Sequence, residues 1–328
     1  MTNALRDIEW SDRGMKLRQF PLWLDANRKQ DVSFVSHAHS DHIARHRQSI
    51  GTKRTLALMQ HRLGELESVV ALEYGQEHHI GPVKVELFSA GHVLGSAQVR
   101  MTVEGKRIVY TGDLNVTPAL TVEPVQVAEC DVLVIESTFG HPRYKFPPRA
   151  EVFGMLRRFV ERCRTYGQVP VVLGYALGKA QEAVKFLGDC GYPLVAHESI
   201  QQTCDVYTAN GMELPPVRRF DGEVKPGEVL FFPPHLRRGH GLEQVGSIRT
   251  VMLTGWALDP PTHARYGAHE MLPLSDHADF DTLIDYTLKT GAKQVFTVHG
   301  FCKDLAAALR ERGLDAQPLQ EVEQLELF

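Results

Sequence analysis

Short apolar runs in the first part of the chain predict β-strands. Residues 83–88 and 98–103 alternate between apolar and polar side chains, as strands with one buried face do. Residues 104–106 (Glu-Gly-Lys) form a turn signal, so the second of these runs is expected to begin a hairpin. Residues 131–136 are apolar between two charged ends, which is typical of a buried strand. Residues 55–66 favour a helix, and together these patterns predict stacked sheets with helices outside.

The pattern changes after the proline pair at 147–148. Residues 151–166 place apolar side chains at helical spacing with arginines on the other faces, and Gly167 ends this helix. The next expected elements are strand 169–174, helix 178–187, strand 193–196 and helix 199–210. Such alternation predicts a unit with a parallel sheet that is inserted into the first domain.

Composition and charge are those of an ordinary globular protein. The 328 residues are enough for two packed units, and 43% are hydrophobic and 23% charged. We expect a cytoplasmic protein without a membrane association, because no signal peptide or apolar run of transmembrane length is visible. Five scattered cysteines without CxxC spacing fit a reducing compartment. The formal net charge of -4 means that bound cations or local arginine clusters would have to attract nucleic acid.

Residues 37–42 (His-Ala-His-Ser-Asp-His) carry the strongest chemical signal. Three imidazoles and a carboxylate follow directly after the apolar run at 32–35. A single histidine is more often a surface or core residue, but four candidate ligands at this spacing are typical of a catalytic metal site on a strand-end loop. Imidazole and carboxylate together suit zinc, manganese or iron, so the sequence predicts a metal centre.

Four more segments add candidate groups. His92 follows a strand and lies between glycines that allow close approach of the backbone. Asp113 ends the next strand, and His277 and His299 each lie beside an apolar or turn segment. Each of these alone is readily explained as an ordinary strand-end histidine or a turn aspartate. Their joint occurrence at strand ends indicates one shared site.

Taken in order, these residues resemble the motifs of a known family. The set that resembles the metallo-β-lactamase fold is His37-x-His39-x-Asp41-His42, His92 and Asp113. The segment 136–140 (Glu-Ser-Thr-Phe-Gly), His277 and His299 resemble the three additional motifs of its β-CASP branch of nucleases. The resemblance covers nearly the whole chain. The compact length and the segment 91–96 (Gly-His-Val-Leu-Gly-Ser) are most similar to bacterial exonucleases associated with ATP-dependent DNA ligases.

The resemblance implies an α/β architecture with two domains. Residues 1–142 and 269–328 would form a four-layer αββα metallo-β-lactamase core. Residues 143–268 would form an inserted parallel α/β domain, the β-CASP domain. The active site would lie in the cleft between the domains, where a polymer can be threaded and clamped.

The resemblance also implies roles at the site. His37, His39 and His92 would hold one metal ion, Asp41, His42 and His299 the second, and Asp113 would bridge them. Two divalent metal ions, zinc or alternatively manganese, could then activate a bridging water and stabilise charge on a phosphoryl oxygen. The catalytic candidates are Asp41, His277 and Glu136. His277 would contact the phosphate or protonate the leaving group, and Glu136 would orient it. Asp25 would support the ligand loop, or it could equally be a turn residue.

The expected function is hydrolysis of phosphodiester bonds in nucleic acid. The resemblance favours a DNA exonuclease that works 5′ to 3′ in DNA repair, and it suggests a functional association with an ATP-dependent DNA ligase. An RNA endo- or exonuclease is the alternative, which His299 favours because DNA-acting eukaryotic members of the family usually carry valine there. A non-nucleolytic hydrolase, such as a thioesterase, is a third alternative. The inserted domain, together with Glu136, His277 and His299, argues against it.

Weaker candidates lie outside these motifs. The strand-to-helix junction at 174–182 contains a lysine that could take a phosphate, although a plain connection explains it nearly as well. Residues 141–145 and 237–240 could line a nucleic-acid channel, but short charged runs are usually solvated loops. Tyr144 and Trp256 could stack on bases, whereas aromatic residues mostly pack in cores.

Overall fold

The chain folds into two compact units. The computed structural model describes residues 8–18, 20–237, 241–259 and 266–319. Unit 1 comprises Met1–Pro118, Val122–Lys145 and His277–Phe328, and unit 2 comprises Ala119–Thr121 and Phe146–Asp276. Each unit is therefore assembled from segments that are distant in sequence.

The described residues form nineteen strands and six α-helices. The strands are β1 (Ile8–Ser11), β2 (Gly14–Leu17), β3 (Trp23–Leu24), β4 (Val32–Phe34), β5 (Gln48–Gly51), β6 (Val69–Ala71), β7 (Glu77–Ile80), β8 (Val83–Ser89), β9 (Ala97–Val103), β10 (Lys106–Tyr110), β11 (Val132–Ser137), β12 (Val169–Leu173), β13 (Leu194–Ala196), β14 (Val217–Arg219), β15 (Val229–Phe232), β16 (Ile248–Leu253), β17 (Glu270–Leu272), β18 (Gln294–Gly300) and β19 (Asp315–Pro318). The helices are α1 (Lys53–Leu63), α2 (Arg149–Thr165), α3 (Lys179–Asp189), α4 (Glu198–Ala209), α5 (Phe280–Lys289) and α6 (Cys302–Arg310). None of the helices in the described residues is both long and apolar enough to cross a membrane.

Unit 1 is built on two sheets that face each other. The first sheet holds β1 to β6 in sequence order, and the second has the order β19-β18-β11-β10-β9-β8-β7. Apolar side chains of both sheets, such as Phe34 of the first and Val99 of the second, form one buried core. The expected hairpin joins β9 to β10, where Val103 pairs with Lys106.

Helices cover the outer faces of this pair of sheets. Leu283 of α5 and Leu305 of α6 share a buried cluster with Leu133 of β11. On the other side α1 lies against β5 and β6. Its start is capped because the Thr52 side chain accepts a hydrogen bond from the backbone N–H of Thr55. The layers thus run helix, sheet, sheet, helix, which confirms the predicted αββα core.

Unit 2 contains a six-stranded sheet in which the neighbouring strands are parallel. Its order is β14-β13-β15-β12-β16-β17. Helices α2, α3 and α4 bury apolar side chains, among them Phe159, Val184 and Ile200, in one cluster with residues of this sheet. The predicted alternation of strands and helices from residue 151 onward is therefore present, with ends that shift by at most two residues.

The chain leaves unit 2 later than the sequence suggested. A boundary at 268/269 would assign β17 to the αββα core. Instead, Met271 of β17 pairs with Met252 of β16, so β17 belongs to the parallel sheet. The compact unit extends to Asp276. A strand of three residues shows too little periodicity to be recognised from sequence.

Candidate metal centre

The loop after β4 carries the histidine cluster and is held by backbone contacts. The backbone N–H of His42 donates to the carbonyl of His39 at 3.1 Å, which closes a tight turn. The carbonyl of Ser36 accepts a hydrogen bond from Ala97 at 2.8 Å. The guanidinium of Arg62 donates to the carbonyl of the loop residue Ala38 at 3.0 Å. These contacts fix the loop at the end of the strand.

Three imidazoles and one carboxylate converge there. The ligand atoms of His37, His39, His92 and Asp113 all lie within 4.8 Å of one another. Nδ1 of His39 lies 3.1 Å from Nε2 of His37 and 3.1 Å from Nε2 of His92. Oδ2 of Asp113 lies 3.4 Å from Nε2 of His37 and 3.6 Å from Nε2 of His92. Three nitrogen donors and one oxygen donor in a compact group suit zinc and related divalent ions, so the residues fit a metal.

Two glycines make this approach of loops possible. A Cβ on Gly91 would lie 2.2 Å from the carbonyl oxygen of Asn115, and a Cβ on Gly112 would lie 2.5 Å from the side chain of Ser36. Both glycines also have positive φ, 72° and 56°. Their neighbours His92 and Asp113 are therefore placed by backbone that only glycine accommodates.

Asp113 also faces a second group of donors. Its Oδ2 lies 3.6 Å from Nε2 of His42, and the same nitrogen lies 3.5 Å from Oδ2 of Asp41. The ring of His299 is further out, with its centroid 5.7 Å from that of His42, and it joins none of the tight donor groups among the described residues. His299 has a φ of 58°, which is uncommon for a residue other than glycine. Asp41, His42 and His299 line one cavity of about 240 Å³.

The buried carboxylate of Asp25 orients this loop. It accepts hydrogen bonds from the backbone N–H of Ser36 at 2.6 Å, from the Ser36 hydroxyl at 2.5 Å and from the Tyr110 hydroxyl at 2.8 Å. Nδ1 of His42 donates to the same carboxylate at 2.9 Å. Because that nitrogen carries the proton, Nε2 of His42 is left to face Asp113 and a metal.

His277 and Glu136 form a second oriented pair. Nδ1 of His277 donates to the Glu136 carboxylate, at 2.9 Å from Oε1 and 3.1 Å from Oε2. Glu136 is fully buried and also accepts from the backbone N–H of Leu114 at 2.6 Å. Burial would raise the pKa of Glu136, but the His277 imidazole holds it below its ordinary value. Nε2 of His277 therefore points toward the donors, 3.9 Å from Oδ2 of Asp113.

Electrostatics at the centre favour a bound cation. Burial lowers the pKa of His37 well below its ordinary value and that of His299 to about 4, which keeps both in the neutral form that binds metals. Burial raises the pKa of Asp113 to about 7, against the lowering effect of His42. Burial also opposes a charge on His42, yet the carboxylates of Asp113 and Asp41 raise its pKa well above the ordinary value. A divalent ion would supply the positive charge that these carboxylates require.

Sequence reasoning missed three residues near the donors. Ser36 directly precedes His37, and its hydroxyl is 3.0 Å from Nδ1 of that histidine. Tyr110 reaches Asp25 across 85 positions of the chain, a separation that no local pattern reveals. The ring of Trp10 lies edge-on to His299 with centroids 5.7 Å apart. The tryptophan is a partly buried residue of β1 whose alternation resembles that of any edge strand.

The structure excludes or weakens some of the other candidates. Tyr144 is fully buried, so the expectation that it could stack on a base is wrong. Lys179, proposed as a phosphate ligand, forms an ion pair with Asp276 in which both side chains are largely buried. Trp256 is partly buried. Of the segment 237–240, only Arg237 lies within the described residues.

Two exposed residues of the segment 141–145, Arg143 and Lys145, also make contacts within the protein. The guanidinium of Arg143 lies 4.8 Å from the ring centroid of Tyr144 and 5.2 Å from that of Phe301. Lys145 pairs with Asp281 at 2.7 Å, and both side chains are exposed. These are contacts of a solvated charged loop, although an exposed ion pair of this kind is weak.

Comparisons with known proteins agree with this geometry. The β-lactamase superfamily domain matches residues 2–168. A probable DNA ligase of Opitutus terrae is 38% identical over 323 residues, which cover 98% of this chain and 32% of that protein. An RNase J-like protein of Methanocaldococcus jannaschii is 31% identical over 186 residues, covering 48% of this chain and 44% of that protein. The 5′ exonuclease Apollo of Gallus gallus is 28% identical over 272 residues, covering 77% of this chain and 55% of that protein.

The chain spans about a third to just over a half of the length of these relatives. The superfamily match covers the strands of unit 1 that carry His37, His92 and Asp113. The matches to the probable DNA ligase and to Apollo cover 98% and 77% of this chain, so they extend beyond that domain. On this combination of matched sequence, αββα layers and clustered donors, the chain belongs to the metallo-β-lactamase superfamily and to its β-CASP branch.

Proposed function

We propose that this chain is a metal-dependent nuclease that hydrolyses phosphodiester bonds of DNA as a 5′ to 3′ exonuclease. The observation that carries the proposal is the position of Asp113. Its Oδ2 lies 3.4 Å from Nε2 of His37 and 3.6 Å from Nε2 of both His92 and His42, and Nε2 of His277 lies 3.9 Å away. A carboxylate shared by two donor groups, with an oriented imidazole beside it, suits phosphoryl chemistry at a pair of metal ions.

The arrangement of the donors supports a proposed set of ligands. His37, His39 and His92 would hold one divalent ion, Asp41, His42 and His299 a second, and Asp113 would bridge them. Zinc is the proposed metal because most of the donors are imidazoles, with manganese as the alternative. When bound, two such ions would supply a hydroxide at neutral pH and would stabilise negative charge on a phosphoryl oxygen.

Proton transfer, contact with the phosphate and the orientation of the reacting groups are proposed for three side chains, those of His277, Glu136 and Asp41. Since Nδ1 of His277 donates to Glu136, its Nε2, which lies 3.9 Å from Oδ2 of Asp113, would donate a proton to the leaving oxygen or a hydrogen bond to the phosphate. Glu136 keeps the ring in this orientation through its contacts with Nδ1. The side chain of Asp41 is 44% exposed, so this proposed ligand can also contact and orient a water in the cavity.

Names of the relatives support DNA as the substrate. The chain aligns over 98% of its length with a protein named as a probable DNA ligase, and over 77% with one named as a 5′ exonuclease. We therefore propose a role in DNA repair in the cytoplasm, in functional association with an ATP-dependent DNA ligase. RNA is the alternative substrate, because His299 is a histidine and a further relative is named RNase J-like.

Matched substrates test this proposal. DNA and RNA strands of the same sequence, each labelled in turn at the 5′ and the 3′ end, would be incubated with the zinc- or manganese-loaded protein. We expect the 5′ label on DNA to be released as mononucleotides before the 3′ label shortens. Faster degradation of RNA than of DNA would contradict the DNA assignment and favour the RNA alternative. No cleavage of either polymer by protein with full metal content would overturn it.

A further inference from the structure

A cavity beside the metal donors extends under the β1–β2 hairpin. Its volume is about 240 Å³, and it is lined both by residues of the metal centre and by residues of the β1–β2 hairpin. The metal-donor side contributes Asp41, His42 and His299, whereas the hairpin side contributes Trp10 and Met15. The hairpin wall has no role in the metal centre described above.

The far wall is an aromatic and aliphatic surface. Trp10 is partly buried, and one part of its ring packs against the core between the two sheets. Another part faces the cavity, where Met15 and Leu24 continue the apolar surface. Because the core holds the indole in place, its face is a rigid platform rather than a mobile side chain.

The polar groups at this cavity are unsuited to a phosphate. Apart from the proposed ligand Asp41, whose charge a bound metal would neutralise, Asp12 and Asp25 contribute carboxylates to its lining, and like charge would repel an anion there. Asn27 adds an exposed amide that can both donate and accept hydrogen bonds. An uncharged planar ring with polar edges matches these walls better than any anion does.

We infer that this cavity is a nucleobase subsite in which Trp10 stacks on the base of the nucleotide whose phosphate reaches the metal centre. The inference rests on the proposed nuclease function. The distance supports it, because the Trp10 and His299 ring centroids are 5.7 Å apart and those of His299 and His42 are also 5.7 Å apart. The platform is therefore within the span of one nucleotide from the donors. Stacking of this kind tolerates all bases, as degradation of arbitrary sequences requires.

A binding experiment tests the subsite without any turnover. The chain has three tryptophans, so replacing Trp23 and Trp256 by phenylalanine leaves Trp10 as the only indole. The metal-loaded variant would be titrated with deoxyadenosine 5′-monophosphate and with 2-deoxyribose 5-phosphate, which lacks the base. We expect quenching of Trp10 fluorescence by the first compound only. Equal quenching by both compounds, or none by either, would overturn the subsite.

A kinetic experiment gives the second readout. The substrates are a DNA strand with a normal terminal nucleotide and the same strand with an abasic analogue there. One stacked base contributes a factor of about 5 to 150 in KM, so the wild type should favour the normal strand by that factor with little change in kcat. Trp10→Leu should bring the ratio close to one, Trp10→Phe should keep most of it, and metal content should not change in either variant.

Trp23→Leu is the matched control, because Trp23 lies in the same sheet but does not line the cavity. It should keep the wild-type preference. A preference that survives Trp10→Leu, or one that Trp23→Leu abolishes equally, would overturn the inference. If the wild type cleaves no polymer at full metal content, the proposed nuclease function fails, and the fluorescence titration still decides whether the cavity binds a base.

Discussion

Nδ1 of His42 lies 2.9 Å from Oδ2 of Asp25, and both side chains are almost completely buried. The contact determines which nitrogen of His42 faces the metal donors. Asp25 cannot rotate freely, because Ser36 and Tyr110 donate to it as well. The orientation of a ligand at this centre is thus determined by residues that do not bind the metal themselves.

Asp25→Asn should weaken metal binding by about 10- to 100-fold, the usual effect of losing an outer hydrogen-bond partner of a ligand. The amide has one accepting oxygen in place of two and presents an NH2 group to donors such as Tyr110. Competition with a coloured chelator would measure the metal affinity, and thermal unfolding would report whether the fold is kept.

Tyr110→Phe is the control for this prediction. It removes one hydrogen bond to Asp25 and leaves the contact with His42 intact, so we expect a loss of about 1 kcal/mol in the free energy of unfolding and little change in metal affinity. If both variants lowered metal affinity equally, the Asp25–His42 contact would not be what orients the ligand.

The metal content provides a second prediction. Seven side chains are proposed as ligands, which is enough for about two divalent ions with room for a water. Elemental analysis of purified protein should find about two ions per chain, and chelation should abolish activity until zinc or manganese is restored. A fully active sample with about one ion per chain would exclude a bridging role for Asp113.

Asp113→Ala should lose activity and much of the metal, because its Oδ2 lies 3.4 Å from Nε2 of His37 and 3.6 Å from Nε2 of His42. Asp131→Ala offers a matched control, since Asp131 pairs with Arg107 at the start of the neighbouring strand and is about as exposed as its partner. Removing that surface pair should leave metal content and activity unchanged, with at most about 1 kcal/mol lost from stability.

Local patterns reveal the parts of this protein that are contiguous in sequence. The segment 37–42 shows its ligand types directly, and helical spacing predicted α2 at 151–166, where the structure has Arg149–Thr165. The αββα core followed from a family resemblance rather than from strand patterns, because strands as short as β3 and β17 have too few residues to show a period.

Pairings between distant residues were not visible in the sequence. Lys179 looked like a phosphate ligand at a strand-to-helix junction, but its partner Asp276 lies 97 positions away. Tyr144 could have been a base-stacking residue or a core residue, because exposure cannot be deduced from residue type, and it is fully buried. In both cases tertiary packing, which local chemistry does not encode, determined the environment of the side chain.

Unit 2 contains a buried ion pair that should be sensitive to mutation. The Arg149 guanidinium pairs with Glu182, whose side chain is 4% exposed and also accepts a hydrogen bond from the backbone N–H of Leu120 at 3.1 Å. Arg149→Met should cost about 3–5 kcal/mol in the free energy of unfolding, because it leaves a buried carboxylate without its partner. Denaturant unfolding would measure this loss.

The double variant Arg149→Met/Glu182→Leu tests the cause of that loss. Replacing both charges by apolar groups removes the unpaired carboxylate, so much of the lost stability should return. A double variant that is less stable than the single one would mean that packing of the arginine, rather than its charge, stabilises this region.

Variants of the His277–Glu136 pair distinguish a role in catalysis from a role in metal binding. Because Nδ1 of His277 donates to Glu136 and Nε2 faces the donors, this histidine is proposed to act on the substrate rather than as a ligand. His277→Ala should keep both its fold and its metal content while kcat falls by a factor of about 10² to 10⁴, the usual cost of losing a general acid. Elemental analysis and steady-state kinetics on labelled DNA would check both parts.

The leaving group distinguishes proton donation from phosphate binding in the same variant. The nitrophenolate group of a nitrophenyl phosphodiester leaves without needing a proton. The loss of rate caused by His277→Ala should therefore be smaller on this substrate if His277 is the acid. Glu136→Gln should give a milder form of the same behaviour, because it only orients the imidazole. An equal loss of rate on both leaving groups would show that His277 contacts the phosphate instead. Loss of metal from His277→Ala would make this residue a ligand and remove it from the proposed chemistry.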